Sequence, residues 1–108
     1  MPAAANDRPG VVTERTRSVR LLIAGRVQGV GYRWWCVRQA GHLGLDGWVR
    51  NRADGSVEAV AHGPEDAVDD LIEACRNGPR GAAVTSVQVS DADPSEAGGP
   101  GFSQAPTL

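Results

Sequence analysis

The chain has 108 residues, 41% hydrophobic and 22% charged, with a formal net charge of −2. That is enough for one small domain with its own core, and no apolar run is long enough to cross a bilayer as a helix. The first ten residues lack the apolar stretch of a secretory signal. The two cysteines, Cys36 and Cys75, fall in expected helices among apolar neighbours. They read as buried free thiols, which points to a reducing cytoplasm.

Residues 1–16 carry no hydrophobic period and read as a flexible tail. From Val19 the pattern alternates, with Val19, Leu21 and Ile23 on one face and Arg20 and Leu22 on the other. This is a half-buried strand that ends near Gly25. A glycine-rich loop follows, and from Tyr32 the period lengthens. Tyr32, Cys36, Ala40 and Leu43 fall at helical spacing, and Gly44 is a natural stop. A second strand runs through Gly47-Trp48-Val49-Arg50-Asn51, and Ala53-Asp54-Gly55 supplies a hairpin turn. The third strand places Val57, Ala59 and Ala61 on one face. Gly63-Pro64-Glu65-Asp66 opens a helix with proline and acids in its first turn. Val68, Leu71, Ile72 and Cys75 form its apolar stripe, and Asn77-Gly78-Pro79 ends it. Val84, Val87 and Val89 mark a fourth strand.

The order strand, helix, strand, strand, helix, strand predicts an α+β fold. It is a ferredoxin-like α/β sandwich, βαββαβ, with an antiparallel sheet and two helices on one face. The domain is expected over 17–90. Residues 91–108 read as a Gly/Pro-rich C-terminal tail, with a short terminal strand around Phe102 as an option.

Charge is distributed unevenly. Residues 15–52 hold eight arginines and one acid, Asp46, whereas 53–108 hold two arginines and ten acids; lysine is absent. The positive charge surrounds the loop Gly25-Arg26-Val27-Gln28-Gly29-Val30-Gly31-Tyr32-Arg33. Three glycines in seven residues let backbone N–H groups point into one small space, beside the positive end of a helix. Such a loop can bind a phosphate group, although a glycine-rich turn between strand and helix is often only a tight connection.

Here the residues carry a family resemblance. Gly25, Val27, Gln28, Gly29, Val30, Tyr32 and Arg33 match all seven specified positions of a signature found in acylphosphatases. Gly47-Trp48-Val49-Arg50-Asn51, Gly55, Val57 and Gly63 match the family's second signature throughout. The resemblance covers roughly residues 18–90. It implies hydrolysis of acyl phosphates to a carboxylate and inorganic phosphate. By this resemblance Arg33 is the catalytic arginine that binds substrate phosphate, and Asn51 is the asparagine that orients the attacking water. The backbone of Gln28, Gly29, Val30, Gly31 and Tyr32 completes the phosphate cradle.

The chemistry suits these residues. The leaving group of an acyl phosphate is a carboxylate, whose conjugate acid has a pKa of about 4, so no strong general acid is required. Holding the phosphoryl group, neutralising its oxygens and placing a water in line are what remain. A guanidinium can pair with two phosphate oxygens, and an amide can hold a water without a particular charge state. No cofactor or metal is expected, because His42, His62 and the cysteines show no ligand spacing. The expected partner is a small-molecule acyl phosphate, with no nucleic acid and no membrane, acting on a monomer.

Other readings stand beside these. Asn51 alone also reads as a strand end, and Arg26, Arg50 and Arg52 read as solvated or steering charges. Trp34, Trp35 and Trp48 read as packing or partly exposed surface, with an aromatic wall for the acyl group as the alternative. A non-catalytic module that binds acyl phosphate is the second functional reading. An RNA-recognition module shares the element order, but the first and third strands carry no stacking aromatics. At the C-terminus, Gln104 stands where the family pattern expects an apolar residue, and Pro106 cannot donate a ladder hydrogen bond.

Overall fold

A computed structural model describes residues 15–108. The expected tail over 1–16 lies outside the described residues as far as position 14. The chain forms β1 (Thr16–Arg26), α1 (Tyr32–His42), β2 (Asp46–Asn51), β3 (Val57–Pro64), α2 (Glu65–Asn77), β4 (Ala83–Asp91), a 3-10 turn (Pro94–Ala97) and β5 (Phe102–Gln104). β1 starts before the apolar alternation does, because Thr16 and Arg17 pair with Pro64 and Gly63. Backbone pairing continues there without help from the side-chain period.

The strands form one sheet in the order β4-β1-β3-β2-β5. β1 runs antiparallel to β3 and β4, and β2 runs antiparallel to β3. β5 lies parallel to β2, so the sheet expected to be antiparallel is mixed. The cause is the route of the segment read as a tail, which returns across the sheet and runs beside β2. Gly101 N–H donates to Asp46 Oδ1 at 2.8 Å, Ala105 N–H to Val49 O at 2.8 Å and Leu108 N–H to Asn51 O at 3.1 Å. Pro106 falls between the last two donors, so its missing N–H removes no bond from this ladder.

Both helices cover one face of the sheet. Val19, Leu21 and Ile23 of β1, Val49 of β2, and Val57, Ala59 and Ala61 of β3 meet Tyr32, Cys36 and Ala40 of α1 and Val68, Leu71, Ile72 and Cys75 of α2 in one core. Each fully buried aliphatic side chain of this kind contributes about 1.5–3 kcal/mol relative to exposure. Small residues at positions 36 and 40 leave α1 only a narrow apolar stripe. Tyr32 compensates by reaching across to α2, where its hydroxyl donates to Cys75 O at 2.7 Å. Burial pushes the Tyr32 phenol well above its ordinary range. Cys36 and Cys75 are free and buried.

The opposite face carries a charged cluster beside buried Val60. Glu58, on the central strand β3, is only 4% exposed. Arg50 Nε donates to its Oε1 at 2.9 Å, Arg52 at 3.0 Å, and Arg20 pairs with Oε2. Arg50 and Arg52, read as solvated or steering charges, are therefore structural partners of one buried carboxylate. Burial alone would raise the Glu58 pKa, but bonds from Arg50, Arg52 and Arg20 outweigh it and hold the pKa below the ordinary value. Trp48 packs on the same face, with the Arg50 guanidinium 4.6 Å and that of Arg20 6.0 Å from its ring centre. Its Nε1–H donates to Glu96 O at 2.8 Å, which ties the 3-10 turn to β2. Arg26 is exposed, as read.

Candidate active site

β1 delivers the glycine-rich loop through a bulge between Ala24 and Gly25. A Cβ at Gly25 would stand 2.2 Å from Ala83 O, so only glycine permits the close approach to β4. Val27, 1% exposed, anchors the middle of the loop in the core. At Gly31 the backbone turns left-handed, with φ 80°, and α1 begins at the next residue. The first intrahelical bond runs from Trp35 N–H to Gly31 O at 3.0 Å. No side chain caps this end. The N–H groups of Tyr32, Arg33 and Trp34 are thus left to an anion, together with the positive end of the helix dipole.

The loop is fixed from below by Gln28. Its Nε2 donates to Arg52 O and to Ser56 O, each at 2.9 Å. Arg52 and Ser56 belong to the β2–β3 turn, which Asp54 stiffens by accepting from Ser56 N–H at 2.9 Å and from its hydroxyl at 2.6 Å. Those two bonds hold the Asp54 carboxyl below its ordinary pKa. Gln28 was expected only as backbone of the cradle; its side chain joins the loop to the turn that follows Asn51.

Gln28, Gly29, Gly31, Tyr32, Arg33 and Asn51 line a single concavity of ≈ 180 Å³. Val30, read from the sequence as a backbone contributor, is not among the lining residues, and its half-buried side chain packs against the core. Asn51 enters from the end of β2, two residues beyond fully buried Val49 and on the same face. Among the described residues the ion pairs use Arg17, Arg20, Arg50 and Arg52, which leaves the Arg33 guanidinium without a carboxylate partner.

Val27, Trp34 and Gln104 complete the lining. In the sequence Gln104 stands out only as a departure from the family pattern. Its signal is the register: Gln104 stands beside Val49 in the parallel pair of β5 with β2, which aims it at the face that Asn51 uses. Of the other aromatic residues, Trp35 packs edge-on to Tyr32 with ring centres 5.2 Å apart. His42 is exposed at the end of α1, and His62 Nδ1 bonds the Ser18 hydroxyl between β1 and β3. No three His, Cys, Asp or Glu side chains among the described residues gather where a metal ion could sit.

Residues 19–103 match the family model for acylphosphatase. The chain belongs to the acylphosphatase family. An acylphosphatase of Rhizorhabdus wittichii is 50% identical over 102 residues, covering 94% of this chain and 96% of its own. One from Rhodospirillum rubrum is 53% identical over 93 residues, covering 85% and 99%. The crystal structure of acylphosphatase from Bacillus subtilis is 40% identical, with a TM-score of 0.77 over 84% of this chain and 99% of that one. The acylphosphatase match runs past the 18–90 read from the two signatures and takes in β5. Acylphosphatases are hydrolases acting on acid anhydrides, and the concavity described above lies on both of the family signatures.

Proposed function

We propose that Arg33 and the loop backbone hold the phosphoryl group of a small acyl phosphate while Asn51 places the attacking water. The observation that carries this reading is the convergence of Arg33 and Asn51 on one concavity at the uncapped start of α1. A phosphate there meets the first-turn N–H groups and an unpaired guanidinium, both fixed before substrate arrives. Asn51 accepts a hydrogen bond from the water and directs its lone pair at phosphorus. As the water oxygen bonds to phosphorus, the bond from phosphorus to the acyl oxygen breaks. The carboxylate leaves with that electron pair; one of the water's protons stays on the new P–OH group and the other passes to a phosphate oxygen or to solvent.

A concavity of ≈ 180 Å³ suits a small metabolite rather than a macromolecule, which supports a small-molecule substrate and no nucleic-acid partner. Two buried free thiols suit a reducing cytoplasm. Among the described residues no helix is long and apolar enough to cross a membrane. The reading includes a monomer, which size-exclusion chromatography checks.

The test is benzoyl phosphate hydrolysis with chelator present, for the parent, Asn51→Ala and Arg33→Ala. Asn51→Ala should lower kcat by about 100-fold or more while inorganic phosphate still inhibits. Arg33→Ala should weaken inhibition by phosphate as well. Near-parental turnover in either variant would overturn the roles assigned. A folded parent that binds phosphate without turnover would favour a non-catalytic acyl phosphate-binding module.

A further inference from the structure

Large apolar side chains are normally buried, and among the described residues only Trp34 and Leu108 are both large and exposed. Trp34 is 60% exposed, yet it lines the concavity directly after Arg33. It is not loose. Arg38, one helical turn further along α1, lies over one face of the indole with its guanidinium carbon 4.9 Å from the ring centre. That contact orients the ring while leaving most of its surface in water beside the phosphate site.

The reaction geometry gives this surface a use. The concavity has a strand wall, Asn51 of β2 and Gln104 of β5, and a helix wall formed by the first turn of α1. In-line displacement puts the attacking water and the leaving oxygen on opposite sides of phosphorus. With water held at the strand wall by Asn51, the acyl group extends away from it and passes the helix wall, where Trp34 stands. We propose that Trp34, oriented by Arg38, is the acyl-group subsite, and that this chain favours aromatic acyl phosphates over small aliphatic ones. A planar acyl group can stack on the indole and remove apolar surface of both from water, whereas an acetyl group covers little of it. The proposal rests on the reading in which Asn51 places the water.

The experiment compares kcat/KM for benzoyl phosphate and acetyl phosphate in the parent, Trp34→Ala, Trp34→Phe and Arg38→Ala. Stacking and area together should make the benzoyl-to-acetyl ratio fall about tenfold in Trp34→Ala. Trp34→Phe should keep most of the preference. Arg38 is a positioning residue, so Arg38→Ala should raise KM for benzoyl phosphate about twofold with kcat retained. A ratio in Trp34→Ala within about twofold of the parent's would overturn the proposal, since stacking predicts a larger change. Circular dichroism confirms folding, which an exposed position should not disturb. Failure of the underlying catalytic reading looks different: Asn51→Ala would then turn over both substrates like the parent, whatever happens at Trp34.

Discussion

Replacing Gln28 by alanine removes two hydrogen bonds, each 2.9 Å long, between the glycine-rich loop and the β2–β3 turn. Neither acceptor is orphaned by the change. Ser56 O still accepts from Arg52 N–H at 2.9 Å, and Arg52 O still accepts from Gly55 N–H at 3.1 Å. The loss is therefore the net worth of two bonds rather than a full desolvation penalty, about 1 kcal/mol each and about 2 kcal/mol in all. For a domain of this size that lowers Tm by roughly 8–16 °C. The same bonds set the loop's position relative to Asn51, so KM for an acyl phosphate should rise severalfold. Urea unfolding with unchanged slope measures the stability, and steady-state hydrolysis measures KM. Gln28→Glu is the sharper variant, because it points a carboxylate at two carbonyl oxygens and should destabilise more than alanine at neutral pH. The reasoning fails if Gln28→Ala unfolds within about 0.5 kcal/mol of the parent and binds substrate equally well.

Glu58→Gln breaks the cluster of Arg20, Arg50 and Arg52 on the face opposite the helices and should cost about 2 kcal/mol, the partial exposure of the arginines holding it below the fully buried range. The folded-state pKa of Glu58 is depressed, so its contribution is complete above the unfolded value of about 4.3 and is lost as pH falls through the folded value. The stability gap between parent and Glu58→Gln should thus be constant near neutrality and close in acid; a gap independent of pH in urea titrations would contradict this. Gly25→Ala forces a Cβ to 2.2 Å from Ala83 O at φ 121° and should destabilise by about 3 kcal/mol or more, measured by thermal unfolding. Deleting residues 105–108 removes the donors to Val49 O and Asn51 O. Turnover should fall through kcat more than KM, and equal loss in both would count against a role in placing Asn51.

Much of this arrangement is legible in the sequence because one period governs each element. Val19, Leu21 and Ile23 alternate and are fully buried, and Val68, Leu71, Ile72 and Cys75 form the stripe that α2 presents to the core. The two signatures place Arg33 and Asn51 in their elements, and the loop geometry brings them to one concavity. What escaped the sequence depends on pairing between distant segments. β5, which the sequence offers only as an option around Phe102, is three residues long, and its parallel pairing with the edge of β2 is what no local pattern announces. Glu58 is a lone acid inside an apolar strand, but its arginine partners come from β1, from β2 and from the turn after β2, which only the folded sheet brings together. The Gln28 side chain bonds carbonyl groups, which carry no residue identity to read.

The late position of β5 also sets an order of events during synthesis. The chain emerges from its N-terminus, and the four strands and two helices of the main sheet are all present once Asp91 is made. Gly101, whose N–H bonds Asp46, lies 55 residues after its partner. A nascent chain halted before that point can complete its core but leaves the outer edge of β2 bare, with the Asn51 carbonyl unpaired. Of the elements described, the strap beside the strand that carries Asn51 is made after the core, so core formation precedes the completed setting of Asn51.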